Sequence, residues 1–171
     1  MFGLTSLGTI HTAISIVAVA AAIISLVRFG EIRAAHTLGK TYIWATVLTC
    51  LTGFGIFQHG GFGKPHVLGI ITLVVLAVAA LAGRRKLGGL SRYIETIAYS
   101  TTVFFHTIPG LTETFTRMPV GAPLFSGPDD PSLQKAVGVC FVLLVIGCVL
   151  QVRKLRAGKQ SGTLPLGGSV R

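Results

Sequence analysis

The sequence predicts an all-α integral membrane protein, a bundle of five transmembrane helices with the N-terminus outside and the C-terminus cytoplasmic. Three observations predict it. Half of the chain is apolar (51%), only 12% is charged and mean hydropathy is +0.74, whereas water-soluble domains carry about 25% charged residues. The apolar residues fall in runs long enough to cross a bilayer. The Lys and Arg residues sit at the ends of those runs, where lipid headgroups and insertion rules account for them. A formal net charge of +10 therefore points to the lipid bilayer as partner, and not to nucleic acid. The length predicts one transmembrane helical bundle over residues 1–152 and a disordered basic cytoplasmic tail over 153–171.

The first apolar run, residues 4–27, has no basic stretch before it, so it reads as a span and not as a signal peptide. His11, Ser15, Ala18, Ala22 and Ser25 recur at helical spacing and predict a face of small residues turned toward neighbouring helices, with His11 pointing inward. A connector over 31–40 carries Arg33 and His36. The second span covers 41–57. Tyr42 and Trp44 read as interfacial anchors, and Tyr42, Thr46, Thr49 and Gly53 form a second small or polar face. Gln58-His59-Gly60-Gly61-Phe62-Gly63-Lys64-Pro65 is a turn ended by proline. The third span covers 66–83, with His66 in its first turn. After Arg84-Arg85-Lys86 and Gly88-Gly89, the fourth span starts near Tyr93 and is expected to kink or stop at Pro109-Gly110. Residues 118–134 form a Pro- and Gly-rich loop. Asp129-Asp130-Pro131 marks a helix start, and the fifth span covers 136–152. Cys50, Cys140 and Cys148 lie within apolar runs and read as packing residues. Cys140 and Cys148 are eight residues apart, about 12 Å along a helix, too far for a disulfide.

Basic residues fix the orientation. Arg28, Arg33, Lys40, Arg84, Arg85, Lys86, Arg92, Arg153, Lys154, Arg156, Lys159 and Arg171 fall on one side, and only Lys64, Arg117 and Lys135 on the other. The positive-inside rule then gives five crossings of a bacterial inner membrane with the tail in the cytoplasm.

The fourth span is unlike the rest. Glu95, Tyr99, Thr102 and His106 share one stripe, because eleven residues at about 100° each return to within about 20° of the start. Glu113 returns to the same direction. A charge in hydrocarbon costs about 2.5–3.5 kcal/mol on insertion scales, so the stripe must face protein. Such a stripe suits a proton-coupled or small-solute transporter. Arg92 at i−3 from Glu95, and Arg117 at i+4 from Glu113, also suit plain ion pairs at helix ends.

The orientation places His11, His59, His66 and His106 in the outer half. His11 and His106 are expected at matched depth, and His36 is alone on the inner side. Imidazole is a common ligand of metals and of haem iron. The cluster therefore predicts a redox protein with haem b held near the outer face by His11 and His66 or His106. The alternative is a transition metal held by His11, His59, His66, His106 and Glu113. The structural reading is that these histidines are hydrogen-bonded and fix helix packing. No GxSxG, P-loop, HExxH or Rossmann glycine pattern occurs, so no catalytic residue is assigned. A non-catalytic accessory subunit, in a homo-oligomer or a larger membrane complex, is the third expectation.

The segments Leu7-Gly8-Thr9-Ile10-His11-Thr12-Ala13, His36-Thr37-Leu38-Gly39-Lys40-Thr41-Tyr42 and Gly60-Gly61-Phe62-Gly63-Lys64-Pro65-His66 belong together, with Tyr99-Ser100 and Glu113-Thr114-Phe115-Thr116-Arg117-Met118-Pro119. With them the chain resembles the bacterial membrane proteins grouped as domain of unknown function 2306. The resemblance implies a multi-pass bacterial membrane protein of uncharacterised activity, with His11, His36, Tyr42, His66, Glu113 and Arg117 as motif positions. It would also place a histidine at the start of the fourth span, where this chain has Gly89-Leu90-Ser91-Arg92-Tyr93.

Overall fold

The computed structural model describes residues 5–57 and 61–161. They form five α-helices: α1 (Ser6–Phe29), α2 (Thr37–Gly53), α3 (Lys64–Gly83), α4 (Ser91–Phe115) and α5 (Pro131–Ser161), with a 3₁₀ turn at Gly88–Leu90 before α4. Among the described residues there is no strand.

Local chemistry sets most of the ends. The Thr5 side chain accepts from Gly8 N–H and starts α1, and Gly30 closes it with φ +77, a left-handed conformation that costs glycine little. Pro65 occupies the first turn of α3. Asp130 accepts from the Ser132 backbone at 2.8 Å and caps α5, as the Asp-Asp-Pro signal predicts. Gly39 is required for a different reason. A Cβ there would meet the Arg33 carbonyl oxygen at 1.9 Å, so the first turn of α2 lies directly on the connector from α1.

Two boundaries differ most from the sequence expectation. Pro109 does not stop the fourth helix, which continues to Phe115. A proline removes only one ladder donor, a loss that helices within a bundle tolerate. Thr107 and Thr112 donate to the Phe104 and Ile108 carbonyls in the same region. The fifth helix does not end at Val152 but continues to Ser161, so residues 153–161 are helix and not tail. Arg153, Lys154, Leu155, Arg156 and Ala157 are strong helix formers, and the Lys154 ammonium is tied to the Phe29 carbonyl at 3.0 Å. Residues 162–171 of the expected tail lie outside the described residues.

The core is made of small and polar side chains. Ala18, Ala21, Ala22, Ala45, Ala79 and Ala98 pack around Tyr42, Tyr99 and Ile32, while Val, Ile, Leu and Phe residues along α1, α3 and α5 face outward. A water-soluble domain sorts its residues the other way. Small residues inside and bulky apolar ones outside let backbones approach closely and leave the large side chains to lipid. Among the described residues three helical segments are long and apolar enough to cross a membrane: Ser6–Phe29, Lys64–Gly83 and Pro131–Gly158.

Neighbours in sequence are neighbours in space. α1 packs on α2, α2 on α3, α3 on α4 and α4 on α5, with α1 also reaching α4. One end of the bundle gathers the starts of α1, α3 and α5 with the last turns of α2 and α4, joined by His11 to Thr52, Ser15 to His106 and Lys64 to Asp129. The other end gathers Glu31, Arg92 and Lys154.

Candidate functional site

The stripe on α4 is turned inward along its length. Glu95, Tyr99, Thr102 and His106 are 6%, 0%, 0% and 7% exposed. The helices covering it supply polar partners, so the bundle has a polar axis inside an alanine-rich wall.

At one end of this axis is an ion cluster. Arg92 bonds Glu95 at 3.3 Å through one guanidinium nitrogen and Glu31 through another. Thr96 adds a 3.3 Å bond to Glu31, and Ser25 holds the Glu31 carbonyl at 3.0 Å. The predicted Arg92–Glu95 pair is present, then, but as half of a triad. Sequence reading left Glu31 in a connector. The available signal was scarcity, since the whole chain has only five acidic residues. The cluster extends to α5, where Gln151 accepts from Ser100 and donates to the Gly30 carbonyl, both at 2.9 Å.

Above the cluster the axis is neutral. The Thr102 hydroxyl donates to the Tyr99 carbonyl at 2.8 Å. Its single proton being spent, the 2.6 Å contact to Tyr42 has the tyrosine as donor. Tyr42 is fully buried, which corrects its reading as an interfacial anchor. Trp44 is 67% exposed. The Tyr99 hydroxyl, between Glu95 and Thr102 along α4, is buried without a hydrogen-bond partner.

His106 is the junction of three helices. Its Nδ1 meets Ser15 of α1 at 3.3 Å and its Nε2 meets Thr46 of α2 at 3.0 Å. Both ring nitrogens are thus engaged by hydroxyls. His11 is one turn from Ser15 on α1. Thr52 donates to the Leu48 and Thr49 carbonyls at 2.8 and 3.0 Å, so in its 3.1 Å contact with His11 the imidazole Nδ1–H is the donor. Nε2 of His11 then carries the lone pair. The ring lies on Gly53, where a Cβ would come within 3.2 Å of Cε1.

The other predicted ligands are dispersed. His66 is stacked between Phe57 and Phe62, at ring-centroid distances of 5.1 and 5.3 Å. Its Nδ1 accepts from Gly63 N–H at 3.2 Å, which puts the proton of the neutral ring on Nε2. It stands on α3, which does not pack on α1. His59 lies outside the described residues. Glu113 pairs with Arg117 and its side chain is 57% exposed, so it leaves the buried stripe. His36 packs on Phe29 with ring centroids 4.5 Å apart, at the end away from His11 and His106. Among the described residues no three His, Cys, Asp or Glu side chains converge as a metal ion requires. Cys50, Cys140 and Cys148 are free thiols.

The arrangement lines proton-holding groups and hydroxyls along one helix face, interrupted at the unpartnered Tyr99 hydroxyl. It brings Glu95, Tyr99, Thr102 and His106 into one file, adds Tyr42, Thr46 and Ser15 from two other helices, and sets His11 one turn beyond. Comparisons with protein-family models, with curated proteins and with solved structures each returned no match.

Proposed function

We propose that this chain is a multi-pass membrane protein that moves protons, alone or coupled to a small solute, along the buried polar face of α4. The observation that carries the reading is His106. An imidazole bonded through both nitrogens to hydroxyls on two other helices can take a proton on one side and release one on the other. Polar side chains buried in a membrane bundle commonly mark such pathways. The stations would be Glu95 at the cytoplasmic end, the hydroxyls of Tyr99, Thr102 and Tyr42 in the middle, and His106 and His11 toward the outer end.

Five crossings of a bacterial inner membrane, N-terminus outside, belong to the same proposal. The starts of α1, α3 and α5 share one end of the bundle, so if those three cross in the same direction, α2 and α4 must return. The resemblance to the domain of unknown function 2306 proteins implies the same kind of molecule. A haem b or metal site draws less support from the donor set. Nδ1 of His66 is taken by Gly63 N–H and both nitrogens of His106 by hydroxyls, so neither offers iron a free lone pair. An accessory subunit in a larger complex accords with the outward apolar face of α5, which that face does not distinguish from plain lipid contact.

The test is full-length protein in liposomes with a trapped pH-sensitive dye and an imposed membrane potential. Proton flux above that of empty liposomes is expected, with E95Q and H106F each lowering it tenfold or more. No flux under any imposed ion or solute gradient overturns the proposal. A Soret band in the purified protein would return the reading to haem.

A further inference from the structure

Beside the ion cluster, and separate from the polar file, is a cavity of about 310 Å³, at the lower end of the range of small-molecule sites, about 300–1,000 Å³. Its charged lining is Arg85, Arg92, Lys154 and Glu31. Arg92 and Glu31 satisfy each other, and Arg92 is shared with Glu95. Counting all five groups, two carboxylates face three cations, and the unmatched charge belongs to Arg85 and Lys154. Lys154 uses one of its three ammonium donors on the Phe29 carbonyl. It reaches the cavity rim because Gly30 has no Cβ, which would stand 2.9 Å from Nζ.

Arg85 is placed against its backbone preference. It follows the C-terminus of α3 with φ +60, and its neighbour Lys86 closes the turn by bonding the Leu81 carbonyl at 3.3 Å. That position is glycine's by default, because a Cβ in the left-handed region crowds the following carbonyl. Glycines stand nearby at 83, 88 and 89, yet the strained position carries a guanidinium that lines the cavity. A guanidinium and an ammonium facing one pocket match the fork-and-point geometry that recognises phosphate oxygens.

We infer that this cavity binds a phosphate group, with Arg85 and Lys154 as its two ligating cations. In the five-crossing arrangement it opens at the cytoplasmic headgroup level, so the group belongs either to an anionic phospholipid or to a free phosphate. The inference does not depend on proton movement through α4 and stands or falls separately from it.

Thermal unfolding of the detergent-purified full-length chain tests it, with three additions compared: a short-chain phosphatidylglycerol, the matching zwitterionic phosphatidylcholine, and inorganic phosphate. Phosphatidylglycerol, inorganic phosphate or both should raise Tm saturably, and phosphatidylcholine should not. A response to the lipid alone assigns a headgroup site, and a response to inorganic phosphate assigns a free-anion site. R85G and K154Q should each weaken the response about tenfold, as loss of one charge-assisted hydrogen bond predicts. R85G relieves the turn, so its Tm without additive should not fall, which separates lost binding from misfolding. The double variant R84Q/K86Q removes two charges from the same turn outside the cavity and should stay within twofold of wild type. If R84Q/K86Q weakens the response more than R85G does, the effect is general surface attraction and the site is refuted. Absence of a Tm response to both phosphatidylglycerol and phosphate refutes it equally.

Discussion

The two ends of the polar axis solve the same problem with different chemistry. At the Glu31–Arg92–Glu95 end full charges are buried or half-buried, and each has an opposite charge in contact. At the Tyr42–Thr102 and His106 end there is no carboxylate or guanidinium, only hydroxyls and a ring that is uncharged when neutral. Burying an unpaired charge is far more costly than burying a hydrogen-bonded hydroxyl. The bundle therefore keeps the charges of this axis near one end, beside a cavity, leaves the Lys64–Asp129 and Glu113–Arg117 pairs exposed at the other, and runs neutral groups through its middle. Removing a partner should cost most where charges are paired and least where a neutral bond has alternatives.

The largest effect is expected at Arg92. R92L leaves Glu95 buried and Glu31 half-buried without their cation and should destabilise by about 3 kcal/mol, the lower end of the range for breaking a buried pair. Denaturant unfolding in detergent measures it. The triple change R92L/E31Q/E95Q should recover most of the loss. If R92L alone is as stable as wild type, the cluster is solvated and the contrast between the two ends disappears.

His106 comes next. H106A removes both hydrogen bonds that join α1, α2 and α4 and opens a cavity, so about 2 kcal/mol of stability should go. H106N, which keeps a donor and an acceptor, should recover part of this. A recovery in stability without recovery of proton flux would show that the ring does more than hold helices together. Y42F should cost less, about 0.6 kcal/mol, the average for a hydrogen bond between membrane helices. Thr102 keeps its bond to the Tyr99 carbonyl in that variant. A loss at Tyr42 as large as at His106 would mean that the neutral end is one cooperative network and not a set of separable bonds.

How much of this was legible in the sequence follows from what periodicity can carry. The helical repeat put Glu95, Tyr99, Thr102 and His106 on one face, and that face is buried. The same rule put His11, Ser15, Ala18 and Ala22 together, and Ser15 indeed meets α4. Register between helices is a different matter. Nothing in one helix states which turn of its neighbour it faces, so the partners of His106 and the role of Glu31 were invisible. Tyr42 shows the limit of composition rules: a tyrosine near a span end suits an interfacial belt, but here close packing of small residues draws it fully inside. His66 illustrates a similar failure. The predicted orientation put it on the outer side with His11 and His106, but a shared side does not bring α3 against α1. Pro109 and the end of α5 were misplaced because breaker and charge signals describe isolated chains, whereas bundle contacts and the tie from Lys154 to Phe29 extend both helices.

The smallest effect belongs to a third way of holding a charge, by backbone donors with no counter-ion. Asp130 is half-buried and outside the bundle axis. Its carboxylate accepts from the Ser126 backbone and hydroxyl, each at 2.9 Å, and from the Ser132 backbone at 2.8 Å. These bonds, the Ser126 backbone first, hold its pKa below the ordinary aspartate value. A depressed pKa in the folded state means that the ionised form stabilises the fold. The contribution is complete above the unfolded value, about 3.9, and is lost as pH falls below it through the folded value. D130N keeps an acceptor for the α5 cap but cannot ionise, so this acid-dependent part of the unfolding curve should flatten while stability at neutral pH changes little. Titration of the Asp130 carboxyl by NMR in the wild type gives the direct reading. A pKa at or above the ordinary value, or undiminished acid sensitivity in D130N, would show that the cap does not depend on charge.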